Sequence, residues 1–282
     1  MGLTPRFLFL FFIPLGVLLQ CSQSDQEEIV SIPDTEFLHA LMEEGVDMNG
    51  DGLISYPEAE ATTSIRLSPS NISDLSGLEA FINLDSLMIL MNPISSLDLS
   101  ENISLKYLSC TGCELNQLDV SHNPHLRHLD CSGGASMSND LTHLDLSMSP
   151  ALEILYCSEN RLTSLDLSKN PALREVSCGR NLIEELDVSL NRSLTKLMVN
   201  NNLLTGMDVS NNTALTKLIT CGNQLSSLNV SGNTDIVILG VDNMATIYEV
   251  CVWTAPFPPP GVILLSDYSP NVYFTTNCKK QK

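Results

Sequence analysis

The chain is short of positive charge. Its 282 residues carry 14 Lys and Arg against 33 Asp and Glu, a net charge of −19. Nucleic-acid binding needs a basic face that displaces counterions, so that class is excluded. Catalytic fingerprints are also missing: no G-x-S-x-G, H-E-x-x-H, P-loop or Rossmann motif appears, and no enzyme class is indicated. Long apolar runs are missing too. The longest, Phe7 to Leu19, follows Arg6 and is broken by Pro14 and Gly16. It is too short for a comfortable membrane span and reads as the apolar part of a signal segment.

What is present is a ladder. Leu84, Leu105, Leu126, Leu152, Leu173, Leu194, Leu215 and Ile236 each open a unit, and every interval is 21 residues except Leu126 to Leu152, which is 26. A fixed period in the twenties signals a solenoid of stacked coils. The unit from Leu152 to Ala172 shows the pattern whole, with Leu155, Cys157, Asn160, Leu162, Leu165, Asp166, Leu167, Ser168 and Asn170. Leu155 and Cys157 alternate with Ile154 and Tyr156, the period of a strand with one buried face. Twenty-one residues leave little room for a helix on the return path. The long unit carries its extra residues around Gly133 to Met137, predicting a bulged loop.

This pattern resembles bacterial leucine-rich repeats, closest to the internalin type and its cysteine-ladder variants in Bacteroidetes surface proteins. The resemblance covers about Ile65 to Met244, and the first unit has the 22-residue internalin-like form. It implies an arc-shaped solenoid with a parallel sheet on the concave face and a mostly irregular convex side. The expected divisions are a lipoprotein signal at 1–20, an acidic tether at 21–30, a helical cap at 31–62, repeats at 63–244 and a C-terminal cap at 245–282. Leu18-Leu19-Gln20-Cys21 resembles a bacterial lipobox, which implies lipid on Cys21 and an outer-membrane, cell-surface location.

Asp47-Met-Asn49-Gly-Asp51-Gly52-Leu53-Ile54-Ser55-Tyr-Pro-Glu58 has the ligand spacing of an EF-hand calcium loop. Asp47, Asn49, Asp51, Ser55 and Glu58 offer side-chain oxygens and Leu53 offers its carbonyl, the dense hard-oxygen set that calcium needs. A helix is predicted from about Asp34 to Glu44. Ser55 and Glu58 also have capping-box spacing, so Pro57 is expected to open a second helix.

The other cysteines read mostly as core. Cys110, Cys131, Cys157 and Cys178 share an inward position that Ile89, Val199, Thr220 and Val241 fill in other units. Exchange with Ile and Val marks small buried hydrophobes, expected to stay reduced. Cys110 and Cys113 form a CxxC, but Cys113 takes the slot that Asn holds in the following units. Cys221 lies one place off the ladder and is expected to face out or distort its strand. Cys251 and Cys278 fall outside the repeats and are a possible disulfide. The row Asp98, Asp119, Asp145, Asp166, Asp187 and Asp208 is expected to bond local backbone amides and the following Ser; a cation-collecting row is the sharper alternative. His122, His125 and His128 occupy three different repeat positions and need not converge.

The concave sheet is expected to show Tyr107, His128, Ile154, Glu175, Lys196, Lys217 and Ile238 in one column. Asp130 and Tyr156 belong to the next. The column content varies along the axis, which fixed core positions do not explain. The chain thus reads as a non-enzymatic, calcium-stabilised surface protein that binds a protein or a glycan there. The alternative is an envelope scaffold or spacer without a dedicated ligand.

Overall fold

The structure, a computed structural model, describes residues 28–134 and 137–278. Each coil contributes one short strand to the main sheet, and the last coils add a second on the return side. These are β1 (Ser64–Leu67), β2 (Ser86–Ile89), β3 (Tyr107–Ser109), β4 (His128–Asp130), β5 (Ile154–Tyr156), β6 (Glu175–Ser177), β7 (Lys196–Met198) and β8 (Lys217–Ile219). Then come β9 (Ser227–Asn229), β10 (Ile238–Gly240), β11 (Glu249–Cys251), β12 (Ile263–Leu265) and β13 (Tyr273–Thr275). A ten-stranded parallel sheet runs β1 to β8, then β10 and β12. Chain order and spatial order agree because each coil returns to lie beside its own start, the geometry of a leucine-rich repeat solenoid.

The strands are short because only their central residue is repeat-locked inward. Leu108, Leu129, Leu155, Val176, Leu197, Leu218 and Leu239 are fully buried. In most coils the two flanking residues are half-buried on the outer face. Leu126, Leu152, Leu173, Leu194 and Leu215 open their coils just as deeply. One contiguous apolar core results, so no coil is stable without its neighbours.

Asparagines tie successive coils together. Asn181 accepts the Ile183-equivalent amide of the preceding coil, Leu162 N, at 2.9 Å, and its Nδ2 donates to Cys157 O at 3.0 Å and Cys178 O at 3.1 Å. Asn191 donates from Nδ2 to Leu167 O at 3.0 Å and Asn170 O at 2.9 Å. Buried carbonyls that no sheet partner reaches are satisfied this way. In the 26-residue unit Asn139 fills the same slot, taking the amides of Cys113 and Leu115. Met137 lies over Gly112, where a Cβ would meet its carbonyl oxygen at 2.8 Å; Gly112 also has φ +64°. Only glycine tolerates both conditions.

The coil extends beyond Met244. Strand β12 pairs in parallel with β10, matching Ile238 to Ile263 and Gly240 to Leu265. On the return side, β9, β11 and β13 form a second parallel sheet. Trp253, Phe257 and Phe274 pack against the end of the core, with centroid separations of 5.3 Å and 5.1 Å along the series.

The N-terminal end is closed by α1 (Thr35–Glu43) and α2 (Tyr56–Ala61). Phe37, Ala40 and Leu41 turn the apolar face of α1 inward. Residues 28–30 belong to this cap: Val30 N donates to Ile54 O at 2.8 Å and Tyr56 N to Glu28 O at 2.9 Å. Among the described residues, no helix is long and apolar enough to cross a membrane.

Candidate functional site

Strand register builds the outer face. Pairing aligns Tyr107, His128, Ile154, Glu175, Lys196, Lys217 and Ile238 in one column. Asp130, Tyr156, Ser177, Met198 and Ile219 align in the next. Successive coils place side chains about 4.8 Å apart, so neighbours in a column touch.

The middle of the face is a linked network. Tyr107 stacks on His128 with centroids 4.3 Å apart, and His128 meets Tyr156 edge-on at 5.6 Å. The Tyr156 hydroxyl donates to Glu175 Oε2 at 2.9 Å. Glu175 Oε1 receives Lys196 Nζ at 2.8 Å. The Lys196 bond outweighs burial, and with the Tyr156 bond it holds the Glu175 carboxyl below its usual range. Burial, then the Glu175 bond, pushes the Tyr156 hydroxyl up to about 12. Burial lowers the His128 pKa, outweighing the opposing pull of Asp130 and Glu175. Asp130 accepts Ser132 N at 3.0 Å. Tyr156 and its neighbours are therefore held by partners within the protein, not left projecting. Lys217 differs: it makes no ion pair among the described residues.

The cap loop gathers its oxygens inward. Asp47 accepts Gly50 N at 2.7 Å and Gly52 N at 2.9 Å. Asn49 Oδ1 accepts Asp51 N, Asp51 Oδ1 accepts Leu53 N, and Asn49 Nδ2 donates to Asp51 Oδ2. Glu58, 5% exposed, takes four donors: Met48 N, Asn49 N, Ser55 N and Ser55 Oγ. The Ser55 amide bond is one half of the capping box that starts α2; the Ser55 side chain, facing the Glu58 amide, is the other. Burial pushes the Glu58 carboxyl up, but these bonds outweigh it and leave it below its usual range. The donor chemistry suits a hard divalent cation, because carboxylate oxygens keep spare lone pairs at Asp47 and Asp51. Glu58 is the exception, since its acceptor sites are filled by the loop itself. Among the described residues, no three His, Cys, Asp or Glu side chains already form a metal-holding group.

The acidic row lies on the return side of the coil. Asp98, Asp119, Asp145, Asp166, Asp187 and Asp208 each accept the amide of the Ser two residues on, at 2.8–2.9 Å. The amide first and the Ser hydroxyl second hold Asp98, Asp145, Asp166 and Asp187 below the usual carboxylate range. Local bonding thus accounts for the row.

Cys110, Cys113, Cys131, Cys157 and Cys178 are buried free thiols, and Cys221 is half-exposed on the outer face. Burial pushes Cys113 up to about 11 and Cys178 up to about 12. Both lie well outside the range of reactive cysteines. Cys251 and Cys278 are joined as a disulfide with Cα atoms 5.5 Å apart. His128 sits in the aromatic stack while His122 and His125 are exposed. Cys21 lies outside the described residues.

Sequence reasoning missed the outermost members of the two columns, Ile263 and Leu265. The spacing from Ile238 to Ile263 is 25 residues, and the intervening stretch lacks the Asn and Asp markers of the unit. Alternation of Ile263 and Leu265 about Leu264 was the available signal.

No known family profile and no curated protein matches the chain. Solved structures do. The functional domain of InlJ of Listeria monocytogenes, which includes a cysteine ladder, aligns at 24% identity and TM-score 0.68. The alignment covers 88% of this chain and 63% of that one. Internalin C2 of the same organism aligns at 18% identity and TM-score 0.63, covering 81% and 98%. Another internalin, InlF, aligns at 18% identity and TM-score 0.52 over 90% and 94%. These likenesses establish the fold: an internalin-like leucine-rich repeat solenoid.

Proposed function

We propose that this chain is a recognition protein whose concave sheet binds a protein partner at a bacterial cell surface. The observation that carries the reading is the contrast between the two sides of each strand. Inward positions repeat as Leu, Val or Cys, while the outward columns change from aromatic to acidic to basic to aliphatic. Stacking requires the first regularity and gives no reason for the second. Protein interfaces draw their energy from a few large side chains in a desolvated centre, and Tyr107, Ile154 and Tyr156 supply such bulk. The internalin-like fold supports the same reading by analogy.

Two further parts belong to this proposal. Cys21 carries lipid and tethers the chain to the outer membrane; mass spectrometry of the mature N-terminus tests it, and an unlipidated product cut elsewhere counts against it. The loop from Asp47 to Glu58 binds calcium and stiffens the cap, with Asp47, Asn49, Asp51, Leu53 and Ser55 as oxygen donors. Glu58 joins them by giving up hydrogen bonds within the loop.

Affinity capture with the mature chain tests the binding face. The Ile154→Ala/Tyr156→Ala double variant should fold and fail to retain whatever the wild type retains. Equal capture by both would remove Ile154 and Tyr156 from the binding surface.

A further inference from the structure

The C-terminal end of the concave face differs from its middle. There the columns turn apolar. Met198, Ile219, Ile238, Ile263 and Leu265, with Cys221, line a shallow groove of about 510 Å³. Ile263 is 57% exposed and Leu265 43%. Neither is a lone surface residue: register places them beside Ile238 and Gly240. A contiguous apolar patch on an otherwise charged chain marks a contact surface.

Gly240 keeps the groove floor low. A Cβ there would meet Cys221 Sγ at 2.8 Å and Ile219 Cδ1 at 3.0 Å. Any larger residue would push those side chains up into the groove.

The rim carries one cation. Lys217 lines the groove directly between Lys196 and Ile238 in its column. Lys196 is neutralised by Glu175, whereas Lys217 has no ion pair among the described residues. On a chain of net charge −19, an ammonium with no ion pair among the described residues, beside half-buried Ile238 and near exposed Ile263, is a placed charge. Its complement is an anion next to an apolar group.

We infer that this groove docks an extended acidic segment of a partner protein, with an aliphatic side chain between Ile219, Ile238, Ile263 and Leu265 and an adjacent carboxylate on Lys217. The inference rests on the concave-face reading above and deepens it. It moves the main anchor away from the Tyr156 network, whose side chains already satisfy one another. Burying the aliphatic group supplies affinity. The Lys217 contact supplies preference for acidic over basic segments and makes it salt-dependent.

The test uses two fluorescein-labelled peptides, Gly-Glu-Leu-Glu-Gly and Gly-Lys-Leu-Lys-Gly, titrated with the full mature chain by anisotropy. The acidic peptide should bind about tenfold or more tightly than the basic one. Lys217→Glu should abolish or reverse that preference. Ile263→Ser should weaken the acidic peptide by about tenfold with an unchanged melting temperature. Equal binding of the two peptides, indifference to Lys217→Glu, or no saturable binding would overturn the inference. So would displacement by decanoate alone, which assigns the groove to an acyl anion. A wild-type dimer by light scattering that Ile263→Ser disperses would assign it to a second copy, with the same consequence. The capture assay separates the two readings. Capture lost in Ile154→Ala/Tyr156→Ala but kept in Ile263→Ser overturns this inference alone, and capture kept in both overturns the concave face as well.

Discussion

Asp34 binds Ser73 across 39 residues of sequence. Asp34 Oδ2 accepts the Ser73 amide at 3.0 Å and its hydroxyl at 3.2 Å, and also the Asp74 amide at 3.1 Å. The other oxygen, Oδ1, caps α1 through Glu36 N and Phe37 N. One carboxylate thus starts the cap helix and fastens it to the first coil. Nearby, Gly77 lets the chain before α1 cross closely: a Cβ there would meet Ile32 Cγ1 at 2.8 Å, and φ is +103°.

Removing this link should loosen the cap without unwinding the repeats. Asp34→Ala should cost about 1–3 kcal/mol of local stability, read as faster hydrogen exchange in Thr35–Glu43. Burial pushes the Asp34 carboxyl up, but the bonds from Ser73, Phe37 and Asp74 outweigh it and leave it below its usual range. A depressed folded value contributes stability above the unfolded value of about 3.9 and loses it as pH falls through the folded one. Wild type and variant should therefore converge below about pH 4. Equal exchange at neutral pH would show that the link contributes nothing.

The thiol ladder should be chemically silent in the folded chain. Cys110, Cys113, Cys131, Cys157 and Cys178 are buried and Cys221 is half-exposed. A chain beginning after Cys21 should show one slowly reacting thiol, Cys221, and all six after denaturation without reductant. Cys157→Val, the exchange already present at Val199 and Val241, should change stability by less than about 1.5 kcal/mol. Fewer than six thiols in the denatured chain would reveal bridges within the ladder.

Calcium should raise the melting temperature of the cap. Asp51 is exposed, and Asp51→Asn keeps an oxygen for Leu53 N, so the variant should fold normally without added metal. It should lose most of the calcium-induced shift. Glu58→Gln should lose it too, and be less stable even without calcium, because Glu58 holds four loop donors. An identical calcium shift in wild type and Asp51→Asn would refute the site.

The sequence revealed most where stacking dictates the residue. Leu155, Cys157 and Asn160 recur because each coil is clamped by its neighbours, and the strands and thiol ladder follow from that. The Asp–Ser row was legible for the same reason, since Asp166 and Ser168 bond within one turn. Contacts that depend on side-chain reach were not legible. Nothing in the spacing shows Asp34 meeting Ser73, Tyr156 bonding Glu175, or Glu58 taking the Met48 and Asn49 amides besides its capping-box partner. The aliphatic end of the face escaped because Ile263 and Leu265 sit in a longer coil without the unit's markers.

The concave sheet as the binding face is the central claim, and site-specific photo-crosslinking tests it most directly. A photoreactive amino acid at position 154 is compared with one at Asp187, on the return side, using the partner retained by affinity capture. Covalent adducts should form from position 154 and be absent from position 187. Adducts from position 187 with none from position 154 would contradict the account.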